Sequence, residues 1–271
     1  MTEAEYILGT DPDESERLRF QHVAWLQQAY ALWSRAGIRA GDAVLDLGCG
    51  PGTTSFELAR LVGPRGRVVA RDESPRFLEV LAAERDRLGL SWVEPSLGRV
   101  EDLDLDGANL DAAYARWLLC WLPDPLGALR RIAAAVRPGG VLVFQDYLDW
   151  AAMKLLPPGP AHDRAIQACM QSWREGGGDI DVGERFPELA RDGGLVLEHL
   201  QPVARAGDTG SLEWRWTVGF LRSYLPKLVE RGTLRPDELE AFRAEMDARE
   251  EEGTSWVHAP TVVDVVLRKP S

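Results

Sequence analysis

The chain has 271 residues, 45% of them apolar and 27% charged, with 43 acidic against 31 basic side chains and a formal net charge of −12. That length suits one sizeable core with additions or two modest domains, and the composition is that of an ordinary globular protein. An acidic chain repels phosphate backbones and no stretch reaches the roughly eighteen apolar residues of a membrane span, so the expected partner is a small molecule, with no nucleic acid and no membrane.

The opening stretch MTEAEYILGTDPDESERLRF is acidic and lacks a basic segment followed by an apolar one. It does not read as a signal peptide, and the expected compartment is the cytoplasm. Three widely spaced cysteines, Cys49, Cys120 and Cys169, agree with that; none forms a C-x-x-C pair, and no metal site is expected. Residues 12–36 then place Leu18, Val23, Leu26, Tyr30 and Trp33 at helical spacing, with His22 beside the stripe. Gly37 and Gly41 punctuate the end of this helix.

From there strands and helices alternate. Ala43–Leu47 reads as a buried strand, Thr53–Leu61 as a helix, Arg67–Arg71 as a strand and Pro75–Leu88 as a helix. Short strands follow at Ser91–Val93 and Asp111–Ala115, then a helix at Leu126–Val136 and a strongly apolar strand at Val141–Tyr147. Such alternation predicts an α/β fold with a parallel sheet and helices on both faces. After Tyr147 the rhythm changes: residues 150–192 look helical, Leu195–Val203 is a strand, 212–250 is a helical insertion broken near Gly232 to Pro236, and Thr261–Lys269 is the closing strand.

The most informative stretch is Val44-Leu45-Asp46-Leu47-Gly48-Cys49-Gly50-Pro51-Gly52-Thr53, a strand, a glycine-rich turn and a helix start. In open α/β sheets ligands bind where such turns lie, at the carboxyl ends of the strands. Glycine lets a ligand approach the backbone, and the free N–H groups at a helix N-terminus favour an anionic group. The spacing is G-x-G-x-G, not the G-x-G-x-x-G of dinucleotide enzymes, and Pro51 removes an N–H that a pyrophosphate could use. Asp46 would repel a pyrophosphate but suits a cation or an amine.

This stretch resembles the first motif of class I S-adenosylmethionine-dependent methyltransferases. The likeness continues in order through Val68–Pro75, Gly98–Leu103, Leu110–Trp117, Leu122–Pro125 and the Arg137-Pro138-Gly139-Gly140 turn. By look the chain is similar to the small-molecule methyltransferases of ubiquinone and menaquinone biosynthesis. The resemblance implies a Rossmann-like seven-stranded sheet with only the last strand antiparallel, a helical cap over residues 1–40, and a methyltransferase domain over 41–271 carrying helical lids at about 150–192 and 212–250.

It also implies S-adenosylmethionine as cofactor, with S-adenosylhomocysteine as product. Gly48, Cys49, Gly50 and Gly52 would cradle the methionine moiety, with Asp46 facing its ammonium. Asp72, with Glu73 beside it, would take the ribose hydroxyls. Val100 and Glu101 would meet adenine, and Arg116 the methionine part. Two positions depart from the family pattern: Arg99 stands where many relatives have an Asp, and Trp121 where many have a His.

Methyl transfer needs alignment above all, and a general base where the acceptor must lose a proton. His22 and His258 are the candidates, because the segments carrying them could both cover the cofactor. The acceptor pocket should come from parts outside the core: Tyr6, Tyr147 and Trp150 are the candidate substrate contacts. Trp214 and Trp216 either line that pocket or anchor the insertion. The alternative function is a non-catalytic S-adenosylmethionine-binding sensor or interaction protein. The acceptor, the methylated atom and the oligomeric state are left open.

Overall fold

The computed structural model describes residues 9, 12–104 and 108–271. A long helix, α1 (Pro12–Ala36), precedes the sheet. It buries His22, Trp25, Ala29, Leu32, Trp33 and Ala36, a stripe at helical period. The alternating region that follows runs β1 (Ala43–Leu47), α2 (Thr53–Val62), β2 (Arg67–Asp72), α3 (Pro75–Leu88), β3 (Val93–Leu97), β4 (Leu110–Arg116), α4 (Pro125–Ala135) and β5 (Val136–Asp149).

Local chemistry sets several boundaries. Ser74 and Asp124 cap α3 and α4 by accepting from the N–H groups of Phe77 and Gly127, and each is followed by a proline at the first helical turn. β3 extends to Leu97, beyond the expected Ser91–Val93. Its Pro95 is tolerated because β3 is an edge strand of the sheet.

The remaining elements are β6 (Lys154–Leu156), α5 (Pro160–Glu175), α6 (Phe186–Asp192), β7 (Val196–Val203), β8 (Ala206–Asp208), α7 (Leu212–Glu230), α8 (Pro236–Glu252), β9 (Trp256–His258) and β10 (Thr261–Arg268). The seven-stranded sheet has the order β3-β2-β1-β4-β5-β10-β7, with β10 antiparallel to both its neighbours. The other pairs are parallel. Helices pack on both faces: Val44, Val68 and Val143 face α1, α2 and α3, while Leu45, Val69 and Leu142 face the other side.

The chain runs outward from β1 to β3 and then resumes at β4 on the other side of β1. The sheet therefore has a topological switch point between β1 and β4, and the crevice for a ligand opens at their carboxyl ends.

The stretch 150–192, expected to be helical, also contains β6. With β8 and β9 it forms a second sheet of order β6-β9-β8, antiparallel throughout. That order repeats β5-β10-β7, so the small sheet continues the far edge of the large one. Three-residue strands carry too little alternation to be seen in a sequence.

Candidate active site

The glycine turn sits at the switch point, and Gly48, Gly50 and Gly52 all have left-handed backbones (φ 65°, 53° and 88°). At Gly52 glycine is required twice over, because a Cβ there would lie 2.6 Å from Cγ of Leu81. The turn is tied to the exit of β2. Gly48 and Cys49 donate their N–H groups to the carbonyl of Arg71, and Gly50 donates to Oδ2 of Asp72 at 2.8 Å. Oδ1 of Asp72 accepts from Ser74 N–H at 2.9 Å. One carboxylate thus fixes two turns of the crevice and keeps lone pairs for a ligand. Burial raises its pKa, against the backbone hydrogen bonds that lower it.

Asp46 lies beneath the turn, buried, and accepts from Ser55 Oγ at 2.6 Å. Burial pushes its carboxyl up to about 7, against the Ser55 hydrogen bond and the charge of Arg116. An acid left so short of partners is suited to a cationic group above it. Burial also pushes the Cys49 thiol well up, so it lines the turn as a small neutral group.

At the far end of the crevice Arg99 lies between two of the expected cofactor residues, 3.7 Å from Glu73 and 3.3 Å from Glu101. Arg71 stitches the same loop through the carbonyls of Arg99 and Asp102 and the hydroxyl of Ser96. Val100 is buried beside them in the cavity wall. The sequence reading did not single out Arg71, whose signal is only its place at the end of β2.

At the exit of β4 the guanidinium of Arg116 lies 4.9 Å from the ring centre of Trp117. Its Nη2 donates to Thr54 Oγ1 and to His22 Nδ1, each at 3.2 Å, and its Nη1 is buried with no protein partner. Trp117 has a left-handed backbone (φ 51°), rare for a bulky residue, and donates its N–H to Gln145 O. The next turn is held by buried Asp146, which accepts from the N–H groups of Leu119 and Tyr147. These residues turn the chain so that Trp117, Leu118 and Trp121 wall a single cavity.

That cavity, of about 500 Å³, runs from the glycine turn and Asp72 past Arg116 to an aromatic slot. The slot is formed by Trp117, Trp121, Tyr147, Trp173, Phe220 and Tyr224, with Arg17 and Gln21 of α1 and Arg231 at the end of α7. Such a volume, with an aromatic end and charged and hydroxyl groups along the rest, is that of a small-molecule site.

Of the expected residues, Asp46, Gly48, Cys49, Gly50, Asp72, Glu73, Val100, Glu101, Arg116 and Tyr147 line this cavity. Gly52 does not line it but starts α2 directly behind the turn. Trp150 stands behind the wall: it is buried, with its ring centre 5.3 Å from Tyr147 and 5.8 Å from Trp173, because the chain turns inward after β5. His258 is not among the lining residues. It belongs to β9, paired with Lys154 and Ala206 in the small sheet, and that sheet draws it away from the crevice.

His22 lies under the cavity floor, not in its lining. Burial, then the charges of Arg116 and Arg60, push its pKa down to about 3, so it is neutral at physiological pH. Its Nδ1 already accepts from Arg116, which leaves no free lone pair for a substrate proton. Tyr6 lies outside the described residues. Trp214 and Trp216 are anchors: Trp214 donates to Glu250, and Trp216 packs on Trp25 and Trp117.

Among the described residues no three His, Cys, Asp or Glu side chains are grouped so as to hold a metal ion, and no helix is long and apolar enough to cross a membrane.

A family model described as a methyltransferase domain matches residues 38–188. The chain is 34% identical over 165 residues to an uncharacterized 37.1 kDa protein of a transposon of Streptomyces fradiae, covering 61% of this chain and 46% of that one. It is 32% identical to the chloroplastic 2-phytyl-1,4-beta-naphthoquinone methyltransferase of Arabidopsis thaliana, over 74% of this chain and 76% of that one. Among solved structures, the fold matches phosphoethanolamine N-methyltransferase 2 of Haemonchus contortus, bound to S-adenosylhomocysteine, with a TM-score of 0.59 at 13% identity, covering 97% of this chain and 59% of that one. The span of the curated relatives that the chain covers thus runs from about half to three quarters.

Proposed function

Since the chain belongs to the class I S-adenosylmethionine-dependent methyltransferases, we propose that it transfers the methyl group of S-adenosylmethionine to a small molecule held in the aromatic slot. The observation that carries this reading is the continuity of one cavity from the glycine turn at the switch point to the slot between α1 and α7.

The residues present fit the cofactor. The orphaned Nη1 of Arg116 suits its carboxylate, Asp46 its ammonium, and the Asp72 carboxylate its ribose hydroxyls. When bound, S-adenosylmethionine supplies an activated methyl group on a sulfonium, and the protein's part is alignment and exclusion of water. The glycine turn and Asp72 position the donor from below. Trp117, Tyr147 and Trp173 orient a flat acceptor from the side, and α1 and α7 cover it. In this reading Tyr147 is a substrate contact, Trp150 supports it from behind, and neither His22 nor His258 acts as a base. The three free buried cysteines support a reducing, cytoplasmic setting.

Calorimetry with S-adenosylhomocysteine tests the site. Asp72→Ala removes charge-assisted hydrogen bonds to the ribose, each worth roughly 1.5–3 kcal/mol, so affinity should fall at least about tenfold. Unchanged affinity in a folded Asp72→Ala protein would sink the assignment.

A further inference from the structure

The acceptor half of the cavity has a one-sided chemistry. Two of its aromatic rings already meet protein cations: Arg17 lies 5.5 Å from the ring centre of Phe220, and Arg116 lies 4.9 Å from that of Trp117. A cage for an ammonium group offers open π faces and usually an acid; here two faces meet arginines. The acidic residues in the described lining are Asp46, Asp72, Glu73 and Glu101, all on the side of the glycine turn and the β2 exit. Among the described residues the acceptor half holds none.

The charged groups there are cations, beside Gln21 and the hydroxyls of Tyr147, Ser172 and Tyr224, which both donate and accept. Arg17 is fixed from behind by buried Glu14, which takes its Nε and Nη2 at 2.7 Å each, while Nη1 donates to the carbonyl oxygen of Gln21. Arg231 stands exposed at the mouth and forms no ion pair among the described residues. No histidine lines the described cavity, and His22 behind it already accepts from Arg116. Among the described residues no imidazole or carboxylate lines this half to take a proton from a substrate.

We propose that the acceptor is a flat apolar molecule that arrives as an oxyanion, a carboxylate or an ionised enol or phenol, and is methylated on that oxygen. This rests on the methyltransferase reading above. Arg231 attracts the anion, the Glu14-paired Arg17 adds its guanidinium face over Phe220, and the aromatic slot holds the flat body. The step balances without the protein's help: a lone pair of the oxyanion forms the O–CH3 bond as the S–CH3 bond breaks. The bonding pair passes to sulfur, leaving a neutral thioether, and no proton moves. An amine acceptor would instead place a further positive charge beside Arg231 and the sulfonium.

The test is calorimetry on the whole protein saturated with S-adenosylhomocysteine, using 2-naphthoate, 2-hydroxy-1,4-naphthoquinone and 2-naphthylmethylamine as probes. The two oxyanions should bind about tenfold or more tightly than the amine, the size of one charge-assisted contact. Arg231→Gln, at an exposed position that should not disturb folding, should remove much of that preference and leave S-adenosylhomocysteine affinity unchanged. The tighter of the two oxyanions distinguishes a carboxylate from an enolate. An amine that binds as well as they do, or no probe binding while S-adenosylhomocysteine binds, overturns the proposal. Failure of S-adenosylhomocysteine itself to bind would instead strike the methyltransferase reading.

Discussion

Arg116 shows how one side chain joins three parts of the site. Nη2 reaches Thr54 on α2 and His22 on α1, while its face lies on Trp117 at the end of β4. His22 is then a positioning residue, and its neutrality is a folding cost in acid. Its pKa falls from 6.5 to about 3 on folding, so between those values the unfolded chain binds more protons than the native one. The stability tied to neutral His22 is therefore intact above pH 6.5 and is lost as pH falls toward 3. His22→Asn keeps an acceptor for Arg116 and abolishes this titration. From pH 7 to pH 5 the wild type should lose stability relative to His22→Asn, by at most about 1.4 kcal/mol per unit below 6.5. Urea midpoints at both pH values would show it, and a constant gap between the two proteins would refute the neutral-histidine account.

At the scale of elements, α1 and α7 contribute to the cavity wall and α8 does not. The pair should therefore move as a cover while α8 supports it from outside. Hydrogen exchange in 12–36 and 212–230 should slow when S-adenosylhomocysteine and an acceptor analogue bind together, with the 236–252 amides unchanged. Equal slowing in all three helices would mean general stiffening instead.

The same division explains what the sequence could tell. The clustering of the candidate donor end was legible because it is local: Asp46, the three glycines and Asp72 fall within two strand ends. The parallel sheet with helices on both faces followed from the alternation of elements, and the antiparallel last strand from the resemblance. The slot was not legible, because Arg17, Trp121, Trp173, Phe220 and Arg231 meet only after α1, α5 and α7 pack together. Tyr147 and Trp150 lie three residues apart, yet one faces the cavity and the other stands behind its wall. His258 was misplaced because β9 is too short to announce itself.

Over the whole molecule, the residues proposed to bind the donor lie at the switch point on the floor of the crevice, and the proposed acceptor slot lies between that floor and α7. Arg116 belongs to both levels, since it lines the cavity while the residues that orient it come from α2 and α1. In the proposed reading, the inner wall of the slot lacks one fixed partner until the carboxylate of the donor engages Nη1 of Arg116. The two substrates should accordingly enter in a compulsory sequence, donor first. In steady-state kinetics S-adenosylhomocysteine should compete with S-adenosylmethionine alone, and a pattern of random addition would contradict this. The enzyme would then leave its acceptor untouched whenever the methyl donor runs low, so that turnover follows the cell's supply of activated methyl groups before it follows the supply of substrate.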